Sequence, residues 1–227
     1  MPRNSKEGPR EGTIDMLSAR SSAVRKRLGN LEKVTIEYIE ACGDCFYLAM
    51  EAALSQEEGW SPYFTVATMR EVVASSLTEE IFQLYTLLHQ QQTEGFKFME
   101  GVDSLETLRN RVRIRGQKVG GTKCVWADGF AMETIANHFQ LLLLVVDERS
   151  SQKFTRIAPR CPSGAVIDSD SIPPTQATVL LHASQREHMN LICYDGRRLT
   201  PVGQLPLKLQ GFWGLRSTAT GKRKAAE

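Results

Sequence analysis

Cys45 is the residue of this sequence best placed for nucleophilic chemistry. It follows the Gly-containing turn Cys42-Gly43-Asp44 and precedes an apolar pattern at helical spacing over residues 46–55. A thiol at a helix N-terminus lies at the positive end of the helix dipole, which favours the thiolate. The backbone N–H groups of Gly43, Asp44 and Cys45 have no intrahelical partners and can donate to a developing oxyanion. The segment predicts a nucleophile with its oxyanion hole, although a single cysteine there is more often a buried structural residue.

The candidate base is His188, at the start of the last strong strand pattern of the chain. Side chains alternate along a strand, so His188 and Asn190 share one face while Met189 lies on the other. Asn190 can therefore orient the imidazole while the second ring nitrogen takes the thiol proton, the role of the third member of a triad. A lone histidine at a turn is more often an ordinary surface residue. His182, on the preceding predicted strand, is the alternative base.

Three segments in order resemble one family. The string Cys42-Gly43-Asp44-Cys45-Phe46-Tyr47-Leu48-Ala49 is similar to the nucleophile motif of the ovarian-tumour (OTU) cysteine proteases, Asp-Gly-x-Cys followed by aromatic and apolar residues on a helix. His188-Met189-Asn190 resembles the closing His-x-Asn/Asp motif of that family. Between them, Trp126-Ala127-Asp128, a predicted helix and an apolar strand at 141–147 look like the family's central block. The resemblance covers residues 36–194.

The resemblance implies an α+β, papain-like OTU fold with a central, mostly antiparallel sheet flanked by helices. It implies a thiol hydrolase that cleaves peptide or isopeptide bonds after the C-terminal glycine of ubiquitin or a ubiquitin-like protein. Catalysis would proceed through a thioester on Cys45, with His188 and Asn190 as the other catalytic residues and no metal or organic cofactor. The oxyanion turn would consist of Cys42, Gly43 and Asp44.

Substrate contacts are predicted around a narrow channel for the Gly-Gly tail of the modifier. Trp126 is a candidate contact, although a tryptophan at a loop–helix junction is more often a packing residue. Gly120 and Gly121 are the other candidates, within a glycine-rich segment at 116–121 that is expected to be a mobile wall of the channel. Deletion of this loop would test that expectation through binding of the tail.

Cys42 departs from the family pattern, because the family has an aspartate three residues before the nucleophile. The missing carboxylate predicts a less rigid oxyanion turn, and a second thiol predicts a Cys42–Cys45 disulfide under oxidation. Two alternatives to a deubiquitinase stay open for this reason. One is a catalytically weak or inactive OTU-fold module that binds ubiquitin or acts as a scaffold. The other is an OTU-fold protease that acts mainly on a viral or bacterial polyprotein.

The pair Cys42-x-x-Cys45 is also compatible with redox or metal chemistry. Thioredoxin-like sites place such a pair after a strand early in a βαβ unit, an order that this chain does not predict. A zinc site needs two further ligands at matched spacing. The remaining cysteines, Cys124, Cys161 and Cys193, are scattered singly, so both interpretations are disfavoured.

Composition limits the partners. The 227 residues carry a net charge of +2 and are 41% hydrophobic, which predicts a globular domain and argues against nucleic acid as the main partner. No apolar run approaches the roughly 18–20 residues of a membrane span. Five cysteines without a dense framework indicate free thiols in an intracellular, cytoplasmic setting. The basic residues 222–224 resemble a weak nuclear signal, although such tails are usually only solvated ends.

The predicted elements place helices in the first half of the chain and strands in the second, as in an α+β domain. Residues 1–30 are predicted to be disordered, 31–215 to form the catalytic domain and 216–227 to be a flexible basic tail. Helices are predicted at 46–55, 65–74, 79–91, 105–112 and from 127 or 128 to 138. Strands are predicted at 33–39, 141–147, 153–158, 177–183 and 188–194, the last two as a hairpin.

Overall fold

A computed structural model describes residues 24, 26–29, 31–55, 63–120, 124–148, 153–160, 172–184 and 188–215. The helices are α1 (Cys45–Leu54), α2 (Val66–Ser76), α3 (Glu79–Gln90), α4 (Leu105–Arg113), α5 (Gly116–Val119), α6 (Gly129–Phe139) and α7 (Leu207–Phe212). The strands are β1 (Val34–Glu37), β2 (Leu142–Asp147), β3 (Phe154–Ile157), β4 (Ala177–Ala183), β5 (Met189–Tyr194) and β6 (Leu199–Pro201). Among the described residues, 3₁₀ turns lie at Lys97–Met99 and Val202–Gln204.

The six strands form one sheet in the order β1-β5-β4-β2-β3, with β6 also paired to β4. The β2–β4 pair is parallel and the other pairs are antiparallel. The predicted α+β class with a mostly antiparallel central sheet is therefore confirmed, as is the β4–β5 hairpin. In that hairpin His182 lies directly opposite Asn190, which brings two polar residues together inside the sheet.

Two apolar cores cover the two faces of the sheet. The larger core packs α1, α2 and α6 against one face. The smaller core packs α7 and the residues around it against the other face. Strand alternation decides which side chain enters which core, so Leu143 and Val145 enter the larger core and Leu142 and Leu144 the smaller one. Because β2 is apolar on both faces, it is a central strand, as its sequence predicts.

The folded part of the chain begins earlier than the predicted boundary at residue 31. Val24 and Leu28 have no exposed surface and belong to the smaller core. Residues 1–23 and 216–227 lie outside the described residues, so the predictions for those two segments stay predictions. Of the described helices, none has the length and apolar character that crossing a bilayer requires.

The segment after α4 differs from its prediction. Residues 116–119 form the short helix α5 rather than a mobile loop. A Cβ atom at Gly116 would lie 2.0 Å from the carbonyl oxygen of Cys42 and 2.9 Å from Cys124 Sγ. Only glycine permits this approach of two backbones, because any side chain would push them apart. The start of α5 therefore packs directly on the turn at residues 42–44 before Cys45, which is called the nucleophile turn below.

Candidate active site

Cys45 is the first residue of α1, as the sequence predicts, and its sulfur faces the start of β5. Gly43 has a φ of 85°, a left-handed conformation that favours glycine and lets the turn reverse before the helix. The backbone N–H of Met189 donates to Cys45 Sγ at 3.4 Å. The helix N-terminus and the strand that carries the candidate base are thus in direct contact at the sulfur.

Burial controls the ionisation of this thiol. It raises the pKa of Cys45 above its ordinary value, and the backbone N–H groups of Met189 and Phe46 offset only part of that rise. Desolvation disfavours the charged form of a cysteine, whereas hydrogen-bond donors favour it. The resting form near neutral pH is therefore the thiol, contrary to the thiolate expected from the helix dipole. A nucleophile of this kind needs a base to remove its proton.

His188 and Asn190 form a hydrogen-bonded pair beside Cys45. His188 Nε2 lies 3.0 Å from Asn190 Oδ1, and both side chains are buried. Asn190 Oδ1 also accepts the backbone N–H of Ile39 at 3.2 Å, and the ring of Tyr38 lies 5.4 Å from that of His188 between centroids. With Nε2 bonded to Asn190, Nδ1 is the ring nitrogen that can take a proton from a thiol.

Cys45 and His188 line the same cavity, which has a volume of about 1020 Å³. Trp126 lines it with 40% of its surface exposed, and its role as a substrate contact stays a prediction. Further apolar walls come from Phe96, Phe98 and Met132. Concave sites with mainly apolar walls and a few converging polar groups are typical of ligand binding.

Of the two glycines predicted as substrate contacts, only Gly120 lies among the described residues. Gly120 ends α5 with a φ of 85° and is exposed, and it is not one of the described residues that line the cavity. Gly121 lies outside the described residues. The role of both in binding a substrate stays a prediction, although α5 itself supports the turn rather than a channel wall.

A buried ion pair that the motifs did not indicate holds the nucleophile turn. The side chains of Asp44 and Arg70 have no exposed surface, and Arg70 Nε donates to Asp44 Oδ1 at 2.7 Å. The second carboxylate oxygen, Oδ2, accepts the backbone N–H of Gln117 at 2.9 Å. Both oxygens are thus bonded, which satisfies the requirement that a buried charge be paired and hydrogen-bonded.

Arg70 connects three segments of the site. Its guanidinium donates to the carbonyl oxygens of Val112 at 2.8 Å, Val125 at 3.0 Å and Gly43 at 3.3 Å. Val112 lies in α4, and Val125 precedes the loop of Trp126. The planar, multiply donating guanidinium suits this role better than an ammonium would. Arg70 therefore fixes the nucleophile turn relative to the wall of the cavity.

The backbone N–H of Cys42 is hydrogen-bonded within the segment before α1. It donates to the carbonyl oxygen of Glu40 at 3.1 Å, and the part of Cys42 in an oxyanion turn stays a prediction. Burial raises the pKa of the Cys42 thiol, and the backbone N–H of Asp44 offsets part of this rise. Cys42 and Cys45 are both free thiols, and the disulfide between them under oxidation stays a prediction.

His182, the alternative base, contacts the Asn190 side of the His188–Asn190 pair. It is 1% exposed, and its Nδ1 lies 3.5 Å from Asn190 Nδ2. It is not among the described residues that line the cavity of Cys45 and His188. The described residues also contain no cluster of three His, Cys, Asp or Glu side chains arranged to hold a metal ion.

The sequence carried one signal for the buried arginine. The buried residues of α2 are Val66, Met69, Arg70, Val73 and Ala74, which follow one another at helical spacing on one face. A charged residue inside an apolar stripe needs a buried partner of opposite charge, because an isolated charge in the core is very costly. Its position on the stripe indicates burial, but which carboxylate it meets depends on the tertiary fold.

Comparison with known proteins gives likeness in fold only. No protein-family profile matches the chain, and no curated protein matches it in sequence. Solved structures that it resembles include an OTU domain in complex with ubiquitin, at 9% identity over 79% of this chain and 80% of that one, with a TM-score of 0.46. An OTU deubiquitinase from Wolbachia pipientis wMel matches at 13% identity over 73% and 91%, with a TM-score of 0.43. The OTUD1 OTU domain matches at 10% identity over 78% and 93%, with a TM-score of 0.42.

These structures are all OTU domains, the family that the sequence motifs resemble. Their sequence identities to this chain are between 9% and 13% and their TM-scores between 0.42 and 0.46, which carry no argument about its chemistry. The chemistry of this protein is therefore inferred from its own residues and their contacts.

Proposed function

We propose that this protein is an OTU-type cysteine hydrolase that cleaves peptide or isopeptide bonds after the C-terminal glycine of ubiquitin or a ubiquitin-like protein. The observation that carries the proposal is that Cys45 and His188 line one cavity, with His188 Nε2 3.0 Å from Asn190 Oδ1. A nucleophile, a base and a group that orients the base are the parts that thiol-dependent acyl transfer needs.

The proposed reaction begins with proton transfer from Cys45 Sγ to His188 Nδ1. The sulfur attacks the glycine carbonyl carbon, and backbone N–H groups at the start of α1 stabilise the oxyanion. Collapse of this intermediate breaks the C–N bond, and His188 gives its proton to the departing amine. Water then hydrolyses the thioester, again with His188 as base, which restores the thiol and releases the modifier with a free carboxylate. Asn190 holds the imidazole in place through both steps.

The raised pKa of Cys45 is the physical reason for assigning this role to His188. A cysteine that is mostly protonated near neutral pH attacks slowly unless a base removes the proton as the bond forms. Asn190 lies at hydrogen-bond distance from Nε2 of the imidazole, so we assign this transfer to the other ring nitrogen, Nδ1. The assignment of ubiquitin or a relative as substrate derives from the resemblance of the motifs and of the fold.

The test uses ubiquitin that carries a thiol-reactive electrophile at its C-terminus. Wild type is compared with Cys45→Ala, with Cys42→Ala and with Cys193→Ala. Cys193 is the matched control, because it is a free, buried thiol of β5 and is not one of the residues that line the cavity. We expect a covalent adduct in wild type, Cys42→Ala and Cys193→Ala and no adduct in Cys45→Ala.

Two other results would favour the alternatives. A Cys45 that reacts neither with the probe nor with a small alkylating agent near neutral pH would indicate a non-catalytic ubiquitin-binding or scaffold module. A Cys45 that alkylates without forming the adduct would indicate a different modifier or a polypeptide such as a viral or bacterial polyprotein. Intracellular, cytoplasmic localisation and the lack of nucleic-acid and membrane partners stay predictions.

A further inference from the structure

A line of polar side chains, three of them buried, extends from the His188–Asn190 pair into the sheet and ends at the partly exposed Glu148. Asn190 bonds to His188 on one side and meets His182 on the other, where its Nδ2 lies 3.5 Å from His182 Nδ1. His182 Nε2 lies 3.2 Å from Glu148 Oε1, although at an angle outside that of a hydrogen bond. Buried polar groups are costly unless each donor meets an acceptor, so the donors and acceptors of these four residues must match.

The donors and acceptors along the line determine one another. The backbone N–H of Ile39 can only donate, and its partner in Asn190 is therefore the oxygen, Oδ1. The amide nitrogen of Asn190 must then face His182, and it can only donate. His182 Nδ1 must accept, which places the ring proton on Nε2, the nitrogen beside the Glu148 carboxylate.

We propose that His182 and Glu148 are positioning residues, which hold the Asn190 amide in the orientation that keeps His188 a base. This inference rests on the proposed function. With Asn190 Oδ1 facing His188, the His188 proton is held on Nε2 and Nδ1 can accept the proton of Cys45. His182 and Glu148 touch neither the substrate nor the sulfur in this scheme. They act through Asn190.

A second proton on His182 would undo this arrangement. Both of its ring nitrogens would donate, and Nδ1–H would face the NH₂ group of Asn190. If the amide turned over, its NH₂ would face His188 Nε2, which would then have to accept. The His188 proton would move to Nδ1, and His188 could no longer take a proton from Cys45.

The surroundings of His182 act on this protonation in both directions. Burial lowers the pKa of His182, and the charge of Arg27 lowers it further. The Glu148 carboxylate raises it. The net direction is downward, so His182 is neutral near and above neutral pH, where a thiol hydrolase of this type would act. Neutrality is what the acceptor role of Nδ1 requires.

The first test reads the tautomers directly. The chain has four histidines, so protein labelled with ¹⁵N-histidine gives a spectrum simple enough to assign with single His→Gln variants. The sample is Cys45→Ala at pH 7.5, which removes exchange with the thiol. We expect His182 and His188 both to be neutral with the proton on Nε2. A His182 that carries its proton on Nδ1, or on both nitrogens, would overturn the proposal.

The second test compares two substitutions of the same residue. His182→Asn keeps an acceptor oxygen near the position of Nδ1, whereas His182→Leu removes it. We expect adduct formation with the ubiquitin probe to stay within about 3-fold of wild type in His182→Asn. His182→Leu should lose at least about 10-fold, part of the roughly 10²–10⁴-fold that a positioned base contributes. Equal losses in both variants at equal thermal stability would refute a role in orienting Asn190.

Failure of the positioning role can be distinguished from failure of the proposed function. The tautomer spectra need no substrate, and alkylation of Cys45 by iodoacetamide needs no ubiquitin. If wild type forms no ubiquitin adduct, the ratio of alkylation rates between His182→Asn and His182→Leu replaces the ratio of adduct rates. Should His182→Leu fail to fold, the spectrum of the otherwise intact chain decides the matter alone.

Discussion

Removal of the buried arginine beneath the nucleophile turn should strongly destabilise this protein. Arg70→Met keeps a long side chain on α2 but removes a charge that lies 2.6 Å from Asp44 Oδ1. Among the described residues, no other positive charge contacts Asp44. Breaking a buried ion pair by removing one partner costs about 3–5 kcal/mol. The carbonyl oxygens of Gly43, Val112 and Val125 also lose their donor, which places the expected cost at the upper end.

This cost is a large part of the free energy of unfolding, which for a typical domain is about 5–15 kcal/mol. For a domain of this size each kcal/mol corresponds to roughly 2–4 °C in the melting temperature, so a fall of about 6–20 °C is expected. Urea unfolding followed by circular dichroism measures the free energy, and a thermal scan measures the midpoint. Glu71→Gln is the matched control, because Glu71 is the next residue of α2 and forms an exposed ion pair with Arg113. It should change both quantities far less.

A double-mutant cycle separates the ion pair from the packing of the side chain. Asp44→Asn leaves Arg70 buried without its counter-charge, and the double variant removes both charges. We expect the double variant to be clearly more stable than the sum of the two single changes implies, because it leaves no buried charge unpaired. A loss below about 1 kcal/mol in Arg70→Met, or strict additivity in the cycle, would show that this pair does not hold the turn.

Two further predictions concern the turn and its thiol. Gly116→Ala should destabilise the protein and slow adduct formation, because its Cβ would meet the Cys42 carbonyl oxygen at 2.0 Å. Gly211→Ala is the control, because a Cβ there has open space around it. Equal stability and equal adduct rates in the two variants would contradict the contact at Gly116. In His188→Ala, alkylation of Cys45 should be slow near neutral pH and rise only at alkaline pH, because burial raises the pKa of the thiol. Profiles of rate against pH that coincide with wild type would exclude His188 as the base.

The parts of the site that could be predicted are those that local sequence determines. Cys45 begins a helix because an apolar helical pattern follows a turn that contains Gly43, whose left-handed φ few other residues adopt. His188 and Asn190 share a face because strand side chains alternate. The strands β4 and β5 pair as predicted because only a short connection separates two apolar runs.

The parts that could not be predicted depend on contacts between distant residues. Asp44 and Arg70 are 26 positions apart. No regular sequence spacing predicts that a residue before α1 contacts a residue of α2. The approach of Gly116 to the turn is of the same kind, and a glycine-rich segment alone predicts a loop. The raised pKa of Cys45 could not be predicted, because a position at a helix N-terminus predicts a lowered pKa. Desolvation by the packed fold is the larger effect.

The same contacts explain how the turn can do without the aspartate that the family pattern places three residues before the nucleophile. That position is Cys42, where burial raises the pKa of the thiol and the nearby charges of Asp44 and Glu40 raise it further. Asp44, directly before the nucleophile, already holds the turn through Arg70 and Gln117. Asp44 therefore gives the turn a carboxylate anchor one residue before Cys45, whereas the family pattern has its aspartate three residues before the nucleophile.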